Sequence, residues 1–464
     1  MQRALMWKIA VISVVALLLQ IPVEMIRGLV AERKQARDGV VADIARGTSE
    51  AQRIVGPVLY VPWTRTFVDS VSSFDERGRR HSSKSTRVEK GVVAVLPEIL
   101  KIEGTIELQE KHRSLYTVPL YTLKASLHGA FVLSPKLAGA DGAGTFEWGQ
   151  PRLVLGLSDT RGIRENVGLE WRGTRTVFAP GTLDAAGIPS GIHADLGILP
   201  PEATRESQAH EFRVDLSLLG THRLEFIPVG NATTVSLSST WPHPSFTGRI
   251  LPDAGTEVSD SGFSATWRTS HIATNLAQLY ERCVQSRQCE PFQQYGLGVS
   301  FYQPVDLYQA VERSVKYGFI FIGLTFVAFF LFEVLKRLAI HPVQYALVGV
   351  ALAVFFLLLI SLSEHLGFAL AYASAAAACV VLIGYYVGHV LHSFRRGAGF
   401  GVLLSSLYGL LYILLRAEDH ALLAGSVLVF AALAATMVAT RRFDWYSLAA
   451  NPPAQEAPAS HKPA

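Results

Sequence analysis

YGFIFIGLTFVAFFLFEVL, residues Tyr317–Leu335, is an apolar run of 19 residues with a single charged side chain, Glu333. A helix needs about 20 mostly apolar residues to cross a hydrocarbon core of ~30 Å, so this run predicts a transmembrane helix. Five further runs have a similar character: Met6–Met25, Val343–Leu362, Gly367–Leu391, Phe400–Leu415 and Ala421–Thr440. We therefore predict a polytopic α-helical membrane protein with one N-terminal span and a five-helix C-terminal bundle.

A large polar block separates the first span from the second. Short stretches such as Thr105–Leu108, Arg152–Leu157, Glu211–Leu218 and Thr233–Leu237 are alternating or β-branched runs, and Gly, Pro, Asp and Ser separate them. A period of two with turn residues between the runs is typical of antiparallel strands. Many short strands of this kind indicate a sandwich or a pair of sheets. The block is predicted to be a large β-rich domain.

Composition divides the chain into five segments. They are an N-terminal transmembrane anchor (1–26), a helical stalk (27–56), the β-rich domain (57–315), the five-span bundle (316–446) and a tail rich in Pro and Ala that is expected to be disordered (447–464). Gly56-Pro57 is predicted to end the stalk helix. The first span is read as a retained anchor and not as a signal peptide, because no small-x-small cleavage site follows it.

Basic residues predict the orientation in the membrane. Pairs of Lys or Arg occur in alternate connections of the bundle: Lys336 and Arg337, Arg395 and Arg396, and Arg441 and Arg442. The positive-inside rule assigns these connections to the cytoplasm, with both termini, and the β-rich domain to the periplasm. One flank disagrees, because basic residues are denser after the first span than before it. The five other spans all agree with this orientation, so we give them more weight than the one flank that disagrees.

Two cysteines lie close together in the polar block. Cys283 and Cys289 are separated by five residues, and in a bacterial periplasm this spacing predicts a local disulfide. The alternative is a pair of unrelated thiols. No metal is assigned, because no second close Cys or His pair accompanies them. Cys379 lies among alanines in a predicted span and is read as a packing residue.

Several long strings in the sequence resemble one known family. They include Gly56–Leu59, Ser239–Phe246, His341–Tyr345, Ser361–Phe368 and Arg441–Tyr446. On these strings the chain resembles the CreD family of inner-membrane proteins over nearly its whole length. The resemblance implies a role in envelope integrity and a link to a two-component stress response in Gram-negative bacteria. It implies no established activity and no catalytic residues.

The residues themselves assign no catalytic site and no cofactor. The sequence contains no phosphate-binding loop, no dinucleotide glycine pattern, no His-Glu-x-x-His and no Gly-x-Ser-x-Gly. The formal net charge of +4 is explained by the basic residues that set topology and by residues dispersed along the polar block. This distribution argues against nucleic acid as a partner. The expected partners are the lipid bilayer and a periplasmic envelope component or protein.

The two outward connections of the bundle carry ionisable residues. Ser361–Leu366 contains Glu364 and His365, and Arg416–His420 contains Glu418, Asp419 and His420. If the two connections are neighbours, these side chains converge at the outer surface. Solvated tips or an ion-paired cap are favoured over a ligand or proton site, and a zinc site is the least expected reading.

Trp241-Pro242-His243-Pro244 is the most distinctive string of the β-rich domain. Its prolines hold the preceding residues in extended geometry, so the segment predicts a stiff loop that displays Trp241, His243 and Phe246. One interpretation is a recognition surface for glycan, lipid or protein. The other, which we favour, is a corner whose tryptophan fills the sheet core.

Glycines mark two places in the bundle. Gly384 and Gly388 predict close helix packing. Gly397, Gly399 and Gly401 predict a flexible cytoplasmic connection.

Three functions fit the sequence. The first is non-catalytic binding or sensing by the periplasmic domain in support of envelope integrity and stress response. The second is transport or lipid handling, although the spans show little charge between their ends and no inverted repeat. The third is an interfacial enzyme acting on a lipid-linked substrate through the outward Glu, Asp and His residues.

Overall fold

The structure is a computed structural model that describes residues 2–74, 80–113, 116–133, 145–197, 208–301, 307–335, 340–416 and 421–441. The chain divides into two compact units. The helical unit consists of the residues up to 37 and those from 305 onward, and the β unit consists of residues 38–304. The predicted C-terminal tail, 447–464, lies outside the described residues.

Helices dominate the first unit. The helices are α1 (Gln2–Leu18), α2 (Gln20–Gly47), α3 (His271–Thr274), α4 (Leu276–Ser286), α5 (Glu290–Gln293), α6 (Leu307–Leu335), α7 (Pro342–Leu366), α8 (Phe368–Val390), α9 (Phe394–Arg416) and α10 (Ala421–Thr440). α1 and α2 follow each other almost without interruption, and the backbone N–H of Leu19 donates to the Val15 carbonyl at 3.0 Å. α3 to α5 belong to the β unit.

Five helical segments within the described ranges are long and apolar enough to span a membrane. They are Met6–Gly47, Leu307–Val334, Pro342–Leu366, Phe368–Val390 and Phe394–Leu415. Together with the β unit they confirm the predicted class, a polytopic helical membrane protein with a large β-rich region. α10 has the bounds predicted for the last span, but its apolar stretch Gly425–Val438 is shorter than a span. The sixth span stays a prediction.

One face of the N-terminal helices packs into the core of the helical unit. Leu19, Val23, Ile26 and Val30 recur every three or four residues and are all buried. Their neighbours in the core include residues of α6 and α7. Gly349 of α7 makes room for this helix, because a Cβ at that position would lie 2.1 Å from Cδ1 of Leu19.

Glycines bring α8 and α9 into close contact. A Cβ at Gly397 would lie 2.5 Å from the Cα of Gly388 and 2.7 Å from the carbonyl oxygen of Gly384. The predicted close packing at Gly384 and Gly388 is therefore confirmed. The predicted flexible connection is wrong, because Gly397 lies inside α9 and is part of that contact. Helix packing through small residues stabilises glycine in a membrane helix despite its low helix propensity.

The β unit contains two sheets. The strands are β1 (Gln52–Phe74), β2 (Arg80–Val95), β3 (Ile99–Arg113), β4 (Tyr116–Leu133), β5 (Thr145–Trp148), β6 (Arg152–Leu157), β7 (Gly168–Trp171), β8 (Thr174–Val177), β9 (Ala179–Pro180), β10 (Gly191–Asp195), β11 (Gln208–Thr221), β12 (Arg223–Ile227), β13 (Ala232–Ser239), β14 (Pro244–Gly248), β15 (Glu257–Ser259), β16 (Gly262–Ser270) and β17 (Leu297–Phe301).

Within the described residues, one sheet has nine strands and the other has eight. The first has the order β14-β17-β12-β1-β6-β10-β9, with β2 and β5 also paired to β1. The second has the order β15-β16-β13-β3-β4-β11-β7-β8. Most neighbours are antiparallel, as predicted, but β1 with β12 and β3 with β13 are parallel. Alternate residues such as Val214, Leu216 and Leu218 of β11 are buried in one large core.

The helix after the first span ends earlier than predicted. α2 ends at Gly47 and β1 begins at Gln52, so Gly56-Pro57 lies inside a strand. The cause is that Ile54 and Val55 pair with residues of β12 and are buried in the sheet. β-branched side chains favour such a position over a further helical turn. Residues 52–56, which composition assigned to the stalk, therefore belong to a strand.

The first of the two connections predicted to face outward is also shorter than predicted. α7 continues through the expected connection to Leu366, and Gly367 alone separates it from α8. Gly367 has a φ of +74°, a conformation that glycine adopts at little cost and that ends the helix. Glu364 and His365 are therefore in the last turn of a helix and not in a loop.

Candidate functional site

A carboxylate near the C-terminal end of α7 joins three helices of the helical unit. Glu364 accepts a 3.0 Å hydrogen bond from the Tyr308 hydroxyl of α6. Its other oxygen lies 3.9 Å from the Arg33 guanidinium of α2. The Glu364 side chain is only 9% exposed, so these two partners offset much of the cost of removing a carboxylate from water. These contacts favour the ion-paired cap among the alternatives for Glu364.

Further side chains of α2 reach the same region. Lys34 lies 3.8 Å from Glu312 of α6. The Arg37 guanidinium lies 5.5 Å from the centre of the Tyr308 ring, a cation–π distance. Arg33 and Arg37 are four residues apart and therefore share a helix face. We call Arg33, Lys34, Arg37, Tyr308, Glu312 and Glu364 the α2 clamp.

A second carboxylate, Glu333, is buried at the other end of α6. It accepts a 2.7 Å hydrogen bond from the Tyr345 hydroxyl of α7 and a 3.2 Å bond from the backbone N–H of Ile340. It also forms an ion pair with Lys8 of α1, and its side chain is 6% exposed. We call Lys8, Glu333 and Tyr345 the α1 clamp. Ionisable residues buried in membrane helices are costly and are often functional.

The two clamps share one pattern with the roles of α6 and α7 exchanged. In each, the N-terminal helix supplies a cation, one of α6 and α7 supplies a carboxylate, and the other supplies a tyrosine hydroxyl. Lys8 and Arg33 are 25 residues apart in sequence. At about 1.5 Å per helical residue this separates the clamps by roughly 37 Å. The N-terminal helix is thus held near both ends of the membrane-spanning part.

The C-terminal end of α2 is held within the β unit. Val40, Val41 and Ile44 pack against Val118, Leu120 and Leu219 of β4 and β11. The Arg161 guanidinium donates a 2.6 Å hydrogen bond to the Arg46 carbonyl, where the helix leaves a carbonyl without a helical partner. A cation at this end also interacts favourably with the helix dipole.

Asp159 positions that arginine. Its oxygens accept hydrogen bonds from Arg161 at 2.9 and 2.7 Å and from the Glu50 backbone N–H at 3.0 Å. The Arg161 guanidinium holds the pKa of Asp159 down, at about 2 against an ordinary 3.8. Gln52 completes the junction: its amide nitrogen donates to Ser49 Oγ and to the Asp159 carbonyl, both at 2.7 Å. We call Asp159, Arg161 and Gln52 the helix junction.

The Trp241 string forms a packed corner. The indole N–H of Trp241 donates a 3.0 Å hydrogen bond to the His243 carbonyl, and its ring contacts the core of the two sheets. Phe246 packs edge-on against Phe263 and Trp267, with ring centres 5.8 and 5.6 Å away. His243 is exposed. The structure therefore brings the three residues together, with Trp241 and Phe246 half-buried against the core and His243 exposed at the surface.

Cys283 and Cys289 form a disulfide between the end of α4 and the start of α5. Both sulfurs border Gly187, where a Cβ would lie 2.8 Å from the Cys283 sulfur. Cys379 is buried in α8, and its sulfur lies 3.6 Å from the Ala351 carbonyl.

The second connection predicted to face outward lies almost entirely outside the described residues. Glu418, Asp419 and His420 lie outside the described residues, so their convergence with Glu364 and His365 stays a prediction. His365 is exposed at the end of α7. In the described ranges, no group of three or more His, Cys, Asp or Glu side chains is placed to hold a metal ion.

Sequence reasoning missed most of the two clamps. It noted Glu364 but not its partners Tyr308 and Arg33. Each of these partners is more than 50 residues from Glu364 in sequence. One signal was present: Lys8 and Glu333 are charged residues beside or within apolar runs. Such residues in membrane helices face the protein interior and find partners.

Comparison with known proteins gives the family. Residues 4–446 match the family described as inner membrane protein CreD. The chain is 35% identical over 448 residues to inner membrane protein CreD of Escherichia coli (strain K12), a match that covers 96% of this chain and 95% of that protein. The matched region includes the helices of both clamps and the β unit. The chain therefore belongs to the CreD family of inner-membrane proteins.

Proposed function

We propose that this protein supports cell envelope integrity and the stress response through a non-catalytic binding or sensing role of its β unit. In this proposal the β unit faces the periplasm and both termini lie in the cytoplasm. Binding of an envelope component or protein to the β unit changes the position of α2. The helical unit responds through the α2 clamp.

One observation carries the proposal: α2 is a single helix that contributes to both units. Its residues up to Arg37 belong to the helical unit and include the cations of the α2 clamp. Its residues from Asp38 onward pack in the β unit. A helix is stiff over its length, so a displacement at one end is transmitted to the other. Charged side chains hold α2 on the membrane side, and such contacts adopt discrete paired or unpaired states.

The orientation rests on the alternating basic connections and on the disulfide, which persists in an oxidising compartment. A thiol-labelling experiment tests both. Val177 is 61% exposed in the β unit, so Val177→Cys provides an accessible thiol. In intact cells a membrane-impermeant maleimide is expected to label Val177→Cys but neither Cys283 nor Cys289 until a reductant is added. Labelling of Val177→Cys only after lysis would reverse the orientation.

Photo-crosslinking tests the binding role. A photo-reactive amino acid at His243, which is exposed beside Trp241, is expected to capture the same envelope component repeatedly in cells. Leu251 is 68% exposed and provides a control position elsewhere on the β unit. If His243 repeatedly captures no component that the Leu251 control does not also capture, the result would argue against the binding role at this corner.

Transport or lipid handling is the second candidate, and the α1 clamp is the observation that favours it. A buried carboxylate paired with a lysine within apolar helices is typical of ion or proton pathways. Replacing both partners, Lys8→Met with Glu333→Gln, distinguishes the two functions in cells that lack the native protein. A transporter that uses Glu333 loses its function. A sensor whose α2 clamp is intact keeps most of it.

A further inference from the structure

The β unit contains a cavity of about 250 Å³. Slightly more than half of its lining residues are apolar, among them Val154 of β6, Ala186 and Val284. Two arginines, Arg152 and Arg287, and one acidic residue, Asp184, also line it. A mostly apolar cleft with a few polar groups is the usual form of a small-molecule site, and this cavity is slightly below the usual size range.

The two arginines differ in their partners. Arg152 is paired with Asp195, with 3.0 Å between the guanidinium and the carboxylate. Arg287 donates to the backbone carbonyl of Asp184 at 3.2 Å, and no carboxylate within the described ranges forms an ion pair with it. An arginine without an ion-pair partner at the wall of a partly apolar cavity is suited to an anionic ligand, because its fork of donors matches a carboxylate or phosphate.

The backbone around Arg287 is held in an unusual conformation. Arg287 ends α4 with a φ of +60°, and its N–H donates to the Cys283 carbonyl at 3.0 Å. Leu183 and Asp184, which also line the cavity, are consecutive non-glycine residues with φ of +53° and +61°. The disulfide between Cys283 and Cys289 closes the short loop that contains Arg287. Left-handed non-glycine residues are costly and often occur at ligand-binding sites.

Tyr60 lines the cavity, and its hydroxyl forms a neutral pair with that of Tyr280. The Tyr60 and Tyr280 hydroxyls are hydrogen-bonded to each other, and Tyr280 donates to the Ala186 carbonyl at 3.2 Å. Burial raises the pKa of Tyr60 to about 12, so its hydroxyl is uncharged at neutral pH and does not repel an anion. Because Tyr280 donates its proton to Ala186, Tyr60 donates its own proton to Tyr280 and adds no negative charge beside Arg287.

We propose that this cavity binds a small organic anion with an apolar body, and that the anionic group, a carboxylate or a phosphate, pairs with Arg287. This site deepens the proposed binding role of the β unit and rests on it. The volume accommodates the apolar body of a small ligand and not a whole lipid.

Fluorine NMR on the full chain in nanodiscs of zwitterionic lipid tests the proposal, with para-fluorobenzoate as the probe. Saturable line broadening is expected, with phenyl phosphate as a competitor. The uncharged para-fluorobenzyl alcohol is expected to bind at least roughly tenfold more weakly, as expected for the loss of a charge-assisted hydrogen bond. Arg287→Gln should weaken binding of the anion by a similar factor. Arg282→Gln, an exposed arginine of the same helix that does not line the cavity, should leave it unchanged.

A second variant guards against loss of folding. Val284→Phe fills the cavity and should abolish binding, while tryptophan fluorescence and the disulfide report that the β unit is intact. Equal broadening with the native protein, Arg287→Gln and Val284→Phe would overturn the proposal, as would the absence of broadening at millimolar probe. Probe binding without crosslinking at His243 would count against the proposed function and not against the cavity. Crosslinking without probe binding would count against the cavity alone.

Discussion

The Tyr345 hydroxyl donates a 2.7 Å hydrogen bond to the buried carboxylate of Glu333 and so joins α7 to α6. Tyr308 and Glu364 make the same bond in the opposite sense, with the tyrosine on α6 and the carboxylate on α7. In both pairs the N-terminal helix provides the cation. Each carboxylate is therefore a shared attachment point for three helices, and its removal affects all of them.

Loss of Lys8 should destabilise the helical unit more than loss of the whole ion pair. Lys8→Met leaves the Glu333 carboxylate buried without its cation, which costs about 3 kcal/mol. Adding Glu333→Gln removes the buried charge and should restore most of the stability. Thermal unfolding of the purified protein in detergent measures both. Arg27→Met is the control, because Arg27 and its partner Glu24 are both exposed. A double variant as unstable as Lys8→Met would contradict the expectation.

Removing one hydroxyl should loosen α2. Tyr308→Phe deletes the hydrogen bond to Glu364 and is expected to cost about 2 kcal/mol, the usual value for a bond to a charged group. Backbone amides of α2 should then exchange with deuterium faster around Arg33 and Arg37. Tyr317→Phe on the same helix is the matched control, because Tyr317 is half-buried in an apolar site. Unchanged exchange in α2 for both variants would argue that Glu364 does not hold this helix.

The helices were predictable because their signal is local. Hydropathy alone placed the last helix at Ala421–Thr440, the bounds that the structure shows. It placed the second span at Tyr317–Leu335, whereas α6 begins at Leu307. The missing turns contain Glu312, Arg313 and Lys316, whose charges lower the hydropathy although the backbone remains helical. The fold class was thus predictable, and the helix ends were less so.

The sheets and the clamps were less predictable from the sequence than the helices. The strand predicted at Thr105–Leu108 is the middle of β3, which runs from Ile99 to Arg113. Near the end of this strand both faces are exposed, so no alternation marks it. The pairing of Glu364 with Tyr308 and Arg33 depends on helix packing that no short pattern encodes. The corner at Trp241, by contrast, was visible because its prolines restrict the local backbone.

Gly397 should tolerate no side chain. Valine there would force α8 and α9 apart, because a Cβ would already lie 2.5 Å from the Cα of Gly388. We expect Gly397→Val to lower stability by about 3 kcal/mol or more, the cost of overpacking a close contact. Gly399→Val is the control, since a Cβ at Gly399 meets nothing within 4 Å. The thermal midpoint and the amount of protein in the membrane measure the effect. Similar losses for both variants would show that valine acts through helix propensity and not through packing.

Acid should weaken the helix junction within a defined pH range. The pKa of Asp159 falls to about 2 in the folded protein from an ordinary 3.8, chiefly because Arg161 donates to the carboxylate. A carboxyl group with a lowered pKa stabilises the folded state fully above the ordinary pKa. The contribution is lost as pH falls from about 4 to about 2. A shift of this size corresponds to about 2 kcal/mol for a side chain that is 10% exposed.

Asp159→Asn tests this contribution. At neutral pH the variant should be less stable by about 2 kcal/mol, and its stability should change less between pH 4 and pH 2 than that of the native protein. Tryptophan fluorescence during denaturant unfolding suits the measurement, because Trp63, Trp148, Trp171, Trp241 and Trp267 all lie in the β unit. Asp195→Asn is the control: Asp195 is 52% exposed in its pair with Arg152, so its loss should cost less than about 1 kcal/mol. If both variants lose the same small amount, the Asp159–Arg161 pair does not secure the end of α2, and transmission from the β unit must use other contacts.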